Sequence, residues 1–338
     1  MIRINSEQDA CHSETAEQGT HSVRQARHGR KGLTAAILTV ALILLAAFSI
    51  RFVQSESICL GPDDVYTTVY FPGTYLLFHG AAGGGPQFRF IGAGSGSLPE
   101  ISTLTFHCKK YAVFIHLKNV TIYDNGTKVS GYENENQMET ISSCIADYDH
   151  DENDDLFLLW KKQGQTYGER LIILSYNGQK TEKIDDESFQ KVNPWKVQVC
   201  DVDGDGKPEV SLGVYTVAKY HPVYAKRPFL YEFSNHRLYP KWLGSRLSQP
   251  FDDYVFSDLD GDRMDELIAL ETTQDDKKEL DAYKWTGFGF ESIGVSQGYD
   301  TIRDLRAAHG SVKAVCGTGS ASAPETFVYR NEKLIAGG

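Results

Sequence analysis

The stretch Asp201-Val-Asp-Gly-Asp-Gly-Lys-Pro-Glu-Val-Ser-Leu-Gly-Val214 decides the fold, because the chain repeats its pattern twice more. The equivalent stretches begin at Asp147 and Asp258, so the three copies start 54 and 57 residues apart. Each copy is an acidic run followed by a short apolar run, for example Leu267–Leu270 after the third. A period of this length is typical of propeller blades or of solenoid units.

Each copy carries a nine-residue acidic loop, which we call loop 1 (147–155), loop 2 (201–209) and loop 3 (258–266). Carboxylates recur at positions 1, 3, 5 and 9, namely Asp147, Asp149, Asp151 and Asp155, then Asp201, Asp203, Asp205 and Glu209, then Asp258, Asp260, Asp262 and Glu266. Position 7 can add a backbone carbonyl, from Asn153, Lys207 and Met264. Six or seven hard oxygens suit Ca²⁺, so the loops are predicted calcium sites.

A solvated acidic turn is the alternative for any single copy, and the threefold recurrence favours metal. A standard EF-hand is excluded, because its Glu at position 12 is replaced by Leu158, Leu212 and Ala269. Loop 2 is predicted to bind best, since Gly204 and Gly206 ease its turn. Loops 1 and 3 have Glu152 and Arg263 at position 6, where glycine usually relieves strain, and are expected to bind more weakly.

A second motif follows each acidic loop at a similar distance in sequence. It is a strand-like run that ends in an aromatic residue and a turn. It is clearest as Val120-Thr-Ile-Tyr123-Asp-Asn-Gly126 and as Ile172-Ile-Leu-Ser-Tyr176-Asn-Gly178. Weaker copies end at Phe233, Trp285 and Tyr329. Asn-Gly favours a type I′ hairpin turn, because both residues accept positive φ.

Each unit is therefore predicted to run strand, acidic loop, strand, strand, hairpin turn, strand. Five units are visible between about 97 and 338, and the first and last have Phe106–Lys110 and Arg303–Arg306 in place of the acidic loop. Residues 60–96 hold either a sixth, degenerate unit or the strand that closes a ring. The predicted fold is an all-β propeller of about five to seven four-stranded blades, with a β-solenoid as the alternative.

These residues resemble the FG-GAP/VCBS repeat family, the calcium-loop β-propeller repeats of integrin α-subunits and many bacterial surface proteins. The Asp201–Val214 stretch is close to the family pattern, and the resemblance extends over roughly 140–290. It implies a propeller, Ca²⁺ at the carboxylates named above, and a binding or scaffold role. Integrin-like propellers have seven blades, and five or six units are visible here.

The segment Leu33–Ile50 is 18 residues long and carries no charge, which is close to the length that crosses a bilayer. Four basic residues precede it and Arg51 follows it. The positive-inside rule then predicts a cytoplasmic disordered tail (1–31), a transmembrane signal anchor (32–53) and an extracellular propeller (54–338) of a single-pass plasma-membrane protein. A signal peptide cleaved near Ala47-Phe48-Ser49 is the alternative.

The net charge of −11 and the isoelectric point near 5.4 argue against a nucleic-acid partner, which would require a basic face. The three loops contain 15 acidic and two basic residues, so their net charge equals the whole acidic excess of residues 54–338, which carry 41 acidic and 28 basic residues. Bound Ca²⁺ would neutralise much of it.

The sequence has no HExxH, GxSxG or P-loop lysine motif, so no catalytic residue is predicted. The first hypothesis is a non-enzymatic, membrane-anchored binding, adhesion or scaffold module with an extracellular protein or glycan ligand. The alternative is a surface polysaccharide hydrolase or lyase built on a propeller. Its acids would come from carboxylates outside the loops, namely Asp252, Asp253, Asp300 and Asp304.

Overall fold

The structure is a computed structural model that describes residues 54–81, 88–134, 138–234, 237–244 and 246–337. These residues form 24 β-strands and one 3₁₀ turn at Gln190–Val192, so the protein is all-β as predicted. The tail and the apolar segment assigned to 1–53 lie outside the described residues.

The strands form six consecutive antiparallel units of four, each in chain order. Sheet 1 is β1 (Gln54–Gly61), β2 (Asp64–Phe71), β3 (Gly73–Gly80) and β4 (Arg89–Gly96), and sheet 2 is β5 (Glu100–Phe106), β6 (Lys109–His116), β7 (Asn119–Asp124) and β8 (Thr127–Glu133). Sheet 3 is β9 (Glu139–Ala146), β10 (Asp155–Lys161), β11 (Arg170–Tyr176) and β12 (Thr181–Ser188), and sheet 4 is β13 (Pro194–Cys200), β14 (Glu209–Ala218), β15 (His221–Ser234) and β16 (Arg237–Leu243). Sheet 5 is β17 (Phe251–Ser257), β18 (Glu266–Thr272), β19 (Lys278–Trp285) and β20 (Phe290–Val295), and sheet 6 is β21 (Thr301–Ala308), β22 (Ser311–Thr318), β23 (Ala321–Arg330) and β24 (Lys333–Gly337). A parallel pair, Val295 with Lys333, joins sheets 5 and 6.

The five units expected after residue 97 are sheets 2 to 6, and residues 60–96 belong to a complete sixth sheet rather than to one closing strand. The predicted hairpin turns join the third and fourth strands. Between β7 and β8, Asn125 and Gly126 have φ of 47° and 72°, the left-handed values that a type I′ turn needs.

The acidic loops join the first and second strands of sheets 3, 4 and 5. In sheet 2 the same connection is the two-residue turn His107–Cys108, within the predicted Phe106–Lys110. In sheet 6 the connection is His309–Gly310 and not Arg303–Arg306. The latter residues lie inside β21, where the pairing with β22 shifts register between Arg303 and Arg306.

The described residues divide into two compact units, and the first comprises those between 54 and 138 together with Tyr176–Glu182. Its core packs sheet 1 against sheet 2, with Tyr66 and Leu77 from one sheet and Ala112 and Phe114 from the other. Tyr66 and Leu77 alternate along their strands with more exposed residues, as expected where one sheet face is buried. Ala112 and Phe114 lie in β6, where residues 111–115 are all buried.

The second unit comprises Glu139–Ser175 and Lys183–Gly338. Its core is a series of clusters that each bridge two successive sheets. The first joins sheets 3 and 4 around Phe157 and Leu212, the second joins sheets 4 and 5 around Leu230 and Tyr254, and the third joins sheets 5 and 6 around Phe327. All three acidic loops belong to this unit.

The predicted localisation needs correction. Residues 54–337, within the ranges described, fold into strands and one short turn, and among them no helix is long and apolar enough to cross a membrane. The single-pass plasma-membrane assignment, with its cytoplasmic N-terminus and extracellular C-terminal domain, is therefore wrong on this structure. The span 32–53 on which it rested lies outside the described residues.

Candidate metal sites

The three loops share one backbone geometry. Positions 4 and 6 have positive φ in every copy: 61° and 67° at His150 and Glu152, 68° and 79° at Gly204 and Gly206, and 82° and 73° at Gly261 and Arg263. The sequence had indicated strain at position 6 alone. Glycine therefore occupies both left-handed positions in loop 2, one of the two in loop 3 and neither in loop 1.

Backbone amides fix the carboxylates of position 1. In loop 2 the amides of Gly204 and Gly206 donate to the two oxygens of Asp201 at 2.8 and 2.9 Å. In loop 3 the amides of Gly261 and Arg263 donate to Asp258 at 2.7 and 3.1 Å. These bonds shape the turn without any metal.

Positions 7 and 9 also have defined partners. The amides of Asn153, Lys207 and Met264 donate to the position-5 carboxylates at 2.7–2.9 Å. The position-9 carboxylates of loops 2 and 3, Glu209 and Glu266, accept from the amides at position 2, at 3.0 and 2.8 Å.

Each loop brings three carboxylates together. The ligand oxygens lie within 4.8 Å of one another in three groups, namely Asp147 with Asp149 and Asp151, Asp201 with Asp203 and Glu209, and Asp258 with Asp260 and Asp262. Asp155, Asp205 and Glu266 lie outside these groups. Three of the four predicted carboxylates therefore converge in each loop. They are those of positions 1, 3 and 5 in loops 1 and 3, and those of positions 1, 3 and 9 in loop 2.

The loops are neighbours in the second unit. The imidazole Nε2 of His150 in loop 1 contacts the carbonyl of Gly206 in loop 2. The amide of Asp201 donates to the Asp265 carboxylate at 2.9 Å, and the amide of Asp265 donates to the Asp201 carbonyl at 2.7 Å, which links loops 2 and 3. The loops thus form a continuous acidic row.

Loops 2 and 3 each hold a lysine ammonium group that the sequence did not indicate. Lys241 of β16 donates to Asp203 at 2.5 Å and also to Glu209. Lys284 of β19 donates to Asp260 at 2.6 Å and to Asp262 at 2.5 Å. These lysines come from strands distant in sequence from the loops, so only the three-dimensional pairing reveals them.

The electrostatics of these two loops follow from the lysines. Burial lowers the pKa of Lys284, but its hydrogen bonds to Asp260 and Asp262 outweigh that effect and leave the pKa above its ordinary value. The pKa of Lys241 is raised in the same way by Asp203 and Glu209. Burial raises the pKa of Glu266 to about 7 even with Lys284 nearby.

Loop 1 differs, because within the described ranges no ion pair reaches Asp147, Asp149 or Asp151. The pKa of Asp155 is raised to about 7, mainly by burial. The charges of the other three carboxylates add to this rise, and a hydrogen bond from Ser175 opposes it. Burial and the neighbouring Asp151 also raise the pKa of Asp149. Asp147, Asp149 and Asp151 are thus the converging carboxylates that no lysine reaches within the described residues, and this donor set fits a hard divalent cation.

The fold and these loops define an all-β protein of repeated four-stranded sheets with acidic connections. No family model and no curated protein sequence matches the chain. Among solved structures, one similar chain is described as a "putative 6-phosphogluconolactonase" from Bacteroides uniformis, at 9% identity and a TM-score of 0.49 over 80% of each chain. That likeness is too distant to indicate a fold or an activity.

Proposed function

We propose that the chain is a calcium-binding β-propeller that acts as a non-enzymatic binding or scaffold module. The observation that carries the proposal is the recurrence of one loop geometry in three successive sheets, with carboxylate oxygens converging in each. The resemblance of Asp201–Val214 to FG-GAP/VCBS repeats supports the same function.

Sheet organisation supports a propeller of six blades. Each sheet is an antiparallel meander of four strands in chain order. Within the first unit the first strands β1 and β5 are in contact, and within the second unit β9 contacts β13, β13 contacts β17, and β17 contacts β21. Blades that meet through their first strands and stack face to face are the arrangement of a propeller, and a linear solenoid of long flat sheets does not explain it.

A candidate ligand surface is the long hairpin of β14 and β15, whose tip is Lys219–Tyr220. Its exposed apolar side chains include Tyr220, 83% exposed, and Tyr224, 59% exposed. Residues 210–231 contain no Asp or Glu in a chain with 45 acidic residues. A cationic hairpin with exposed aromatic rings suits a protein or glycan ligand, because aromatic groups supply much of the contact energy in binding sites.

The structure offers the polysaccharide hydrolase alternative little support. Three of its four carboxylates are paired with lysines, Asp252 with Lys278 at 2.5 Å, Asp253 with Lys196 at 2.6 Å and Asp300 with Lys277 at 2.5 Å. A general acid or base needs a proton affinity tuned to its reaction and access to a substrate. We therefore retain the non-enzymatic proposal.

Calcium is tested by thermal unfolding of the full-length protein in chelator and in millimolar Ca²⁺. A site with a dissociation constant of about 10⁻⁴ M adds about 1.4 kcal/mol to the unfolding free energy at 1 mM Ca²⁺. Asp147→Asn should abolish that gain if loop 1 binds the ion. Lys109→Ala, beside the acid-free turn of sheet 2, is the control and should leave the response unchanged. If the wild-type protein has the same melting temperature in chelator and in Ca²⁺, the calcium proposal is disproved.

The binding role is tested by retention of the full-length protein on arrays of immobilised glycans and proteins. Tyr220→Ser combined with Tyr224→Ser should abolish retention on any ligand that the wild type binds. Phe288→Ser is the matched control, because Phe288 is also a loop aromatic and is 80% exposed. Equal losses in the hairpin and control variants would argue against the hairpin as the binding surface.

A further inference from the structure

Loop 3 encloses the ammonium group of Lys284 where a calcium ion would be expected. Its Nζ lies 2.6 Å from Asp260, 2.5 Å from Asp262 and 3.3 Å from Glu266. These are the carboxylates of positions 3, 5 and 9, three of the four carboxylates predicted to bind metal in this loop. Glu266 is fully buried and the lysine side chain is 25% exposed, so the ion pair is partly shielded from water.

Loop 2 encloses an ammonium group of different origin. Lys241 contacts the position-3 and position-9 carboxylates, Asp203 and Glu209, and lies 3.8 Å from Glu232. The lysine is 12% exposed and Glu209 is 1% exposed. Two lysines on different strands, β16 and β19, thus bring a positive charge to the same place in two loops.

Strand register explains why the lysines come from different strands. In sheet 5, Leu267 pairs with Tyr283, so Glu266 and Lys284 are the next residues of β18 and β19. In sheet 4 the residue opposite Glu209 is Glu232, an acid, and the cation comes instead from the neighbouring strand β16. In sheet 3 the residue opposite Asp155 is Ser175, which is neutral.

We infer that Lys241 and Lys284 take the place of a bound cation in loops 2 and 3, which leaves loop 1 as the divalent-cation site of the three. An ammonium group donates three hydrogen bonds and supplies one charge to a cluster of acids. A divalent ion could enter only by expelling that group into solvent. The assignment of Ca²⁺ to loop 1 rests on the proposed function, but the assignment of internal cations to loops 2 and 3 does not.

This inference reverses the order expected from sequence, in which loop 2 was the best calcium site. The glycines of loop 2 ease its turn, but Lys241 already supplies a cation to the carboxylates of the same loop. Loop 1 has the least favourable backbone, and its converging carboxylates, Asp147, Asp149 and Asp151, have no ion pair within the described ranges. Which loop binds Ca²⁺ would then depend on whether a lysine already pairs with its carboxylates, and not on how many glycines its turn contains.

The inference is tested by counting Ca²⁺ bound to the full-length protein in equilibrium dialysis. The wild type should bind one ion per chain, and Asp147→Asn should reduce that number to zero. Lys284→Gln and Lys241→Gln should each bind one more ion than the wild type, because each frees a set of carboxylates. Lys284→Arg keeps the charge and should not gain a site.

Thermal unfolding gives a second readout that a merely structural lysine would not produce. In chelator, Lys284→Gln should melt several degrees below the wild type, and saturating Ca²⁺ should restore more than the wild type gains. Lys278→Gln is the matched control, since Lys278 lies on the same strand, is also 25% exposed and pairs with the exposed Asp252. Its melting temperature should show no extra calcium response.

The outcomes separate this inference from the proposed function. Three ions bound to the wild type would overturn the inference and leave the calcium proposal intact. No ion bound to the wild type, with one gained by each lysine variant, would disprove calcium in loop 1 and support the lysine assignment. Lysine variants that fold but gain neither an ion nor a calcium response would overturn the inference.

Discussion

At the scale of single residues, the backbone of the acidic loops depends on positions that few side chains tolerate. Gly206 and Gly261 have φ of 79° and 82°, and a Cβ added to either would meet no atom within 4 Å. Replacing either with alanine therefore tests conformation alone. We expect Gly206→Ala and Gly261→Ala to lower the unfolding free energy by about 1 kcal/mol each, measured by urea denaturation in chelator.

Gly204 supplies the comparison, because a Cβ there would lie 2.9 Å from Cγ of Met264 in loop 3. Gly204→Ala should therefore cost more than Gly206→Ala, since it adds a contact between loops to the same backbone strain. Equal costs for the three variants would show that loops 2 and 3 do not pack as the structure places them.

Glu271 is a buried acid outside the loops and gives stability a pH dependence. It is fully buried, and the hydroxyl of Tyr283 donates to its Oε1 at 2.6 Å. Its pKa is raised from 4.5 to about 7, mainly by burial, while the hydrogen bond from Tyr283 opposes the rise and the charge of Asp281 adds to it. The folded state therefore holds this proton more tightly than the unfolded state, so stability should fall as pH rises from about 4.5 to about 7.

We expect Glu271→Gln to remove that part of the pH dependence, because the amide cannot ionise. Its unfolding free energy relative to the wild type should rise by roughly 1–3 kcal/mol between pH 5 and pH 8, measured by urea denaturation. Glu332→Gln, in an exposed turn, is the control and should keep the wild-type slope. A parallel pH profile for Glu271→Gln would contradict the assignment.

At the scale of elements, the hairpin of β14 and β15 is held by one buried cation. Arg227 is fully buried, and its guanidinium donates to the carbonyls of Thr216, His221 and Val223 at 2.8–3.0 Å. These carbonyls lie on both strands near the tip. A planar guanidinium can bind them together, and a lysine ammonium cannot reproduce that fork.

Lys in place of Arg227 should therefore loosen the hairpin although the charge is kept. We expect Arg227→Lys to lower the unfolding free energy by roughly 2–3 kcal/mol and to speed cleavage by chymotrypsin at Tyr220 and Tyr224. Arg306→Lys is the control, because Arg306 is exposed in β21. If chymotrypsin cleaves the tip at the same rate in both variants, the hydrogen bonds of Arg227 are not what orders the hairpin.

The elements also show how far the sequence alone could predict the structure. Acidic loops with their following apolar runs, together with strand-like runs that end in an aromatic residue and a turn, predicted the strand order of sheets 2 to 5, because these signals are local. The loop position in sheet 6 was misplaced, since charged residues there lie in a bulged strand. Lys241 and Lys284 could not be assigned to the loops, because their positions depend on cross-strand register that no local pattern encodes.

At the scale of the whole molecule, six sheets of one design carry different connections between their first and second strands. Sheets 1 and 2 use two-residue turns, sheets 3 to 5 use acidic loops, and sheet 6 uses His309–Gly310. Sheet 1 was not clearly recognised in the sequence, because it has neither the acidic loop nor a clear copy of the aromatic residue and turn that identified sheets 2 and 6. Its four strands are nevertheless complete, so the pairing of strands, and not the loop, defines the repeated unit.

This distribution predicts where calcium acts along the chain. All three acidic loops lie in the second compact unit, and sheets 1 and 2 of the first unit contain none. An ion that binds only the folded state slows the local openings that expose the amides around its site. Calcium should therefore slow hydrogen exchange in sheet 3 around loop 1, with a smaller effect in sheet 4, which loop 1 contacts through His150 and Gly206.

Hydrogen exchange followed by mass spectrometry, in chelator and in millimolar Ca²⁺, measures this directly. Peptides from β1 to β8 should exchange equally in both conditions, and peptides covering 141–160 should differ most. Asp147→Asn should make the two conditions alike throughout, because it removes a ligand of loop 1. Calcium protection centred on loop 2 or loop 3 in the wild type would instead show that the ion displaces Lys241 or Lys284, because neither loop can hold both cations.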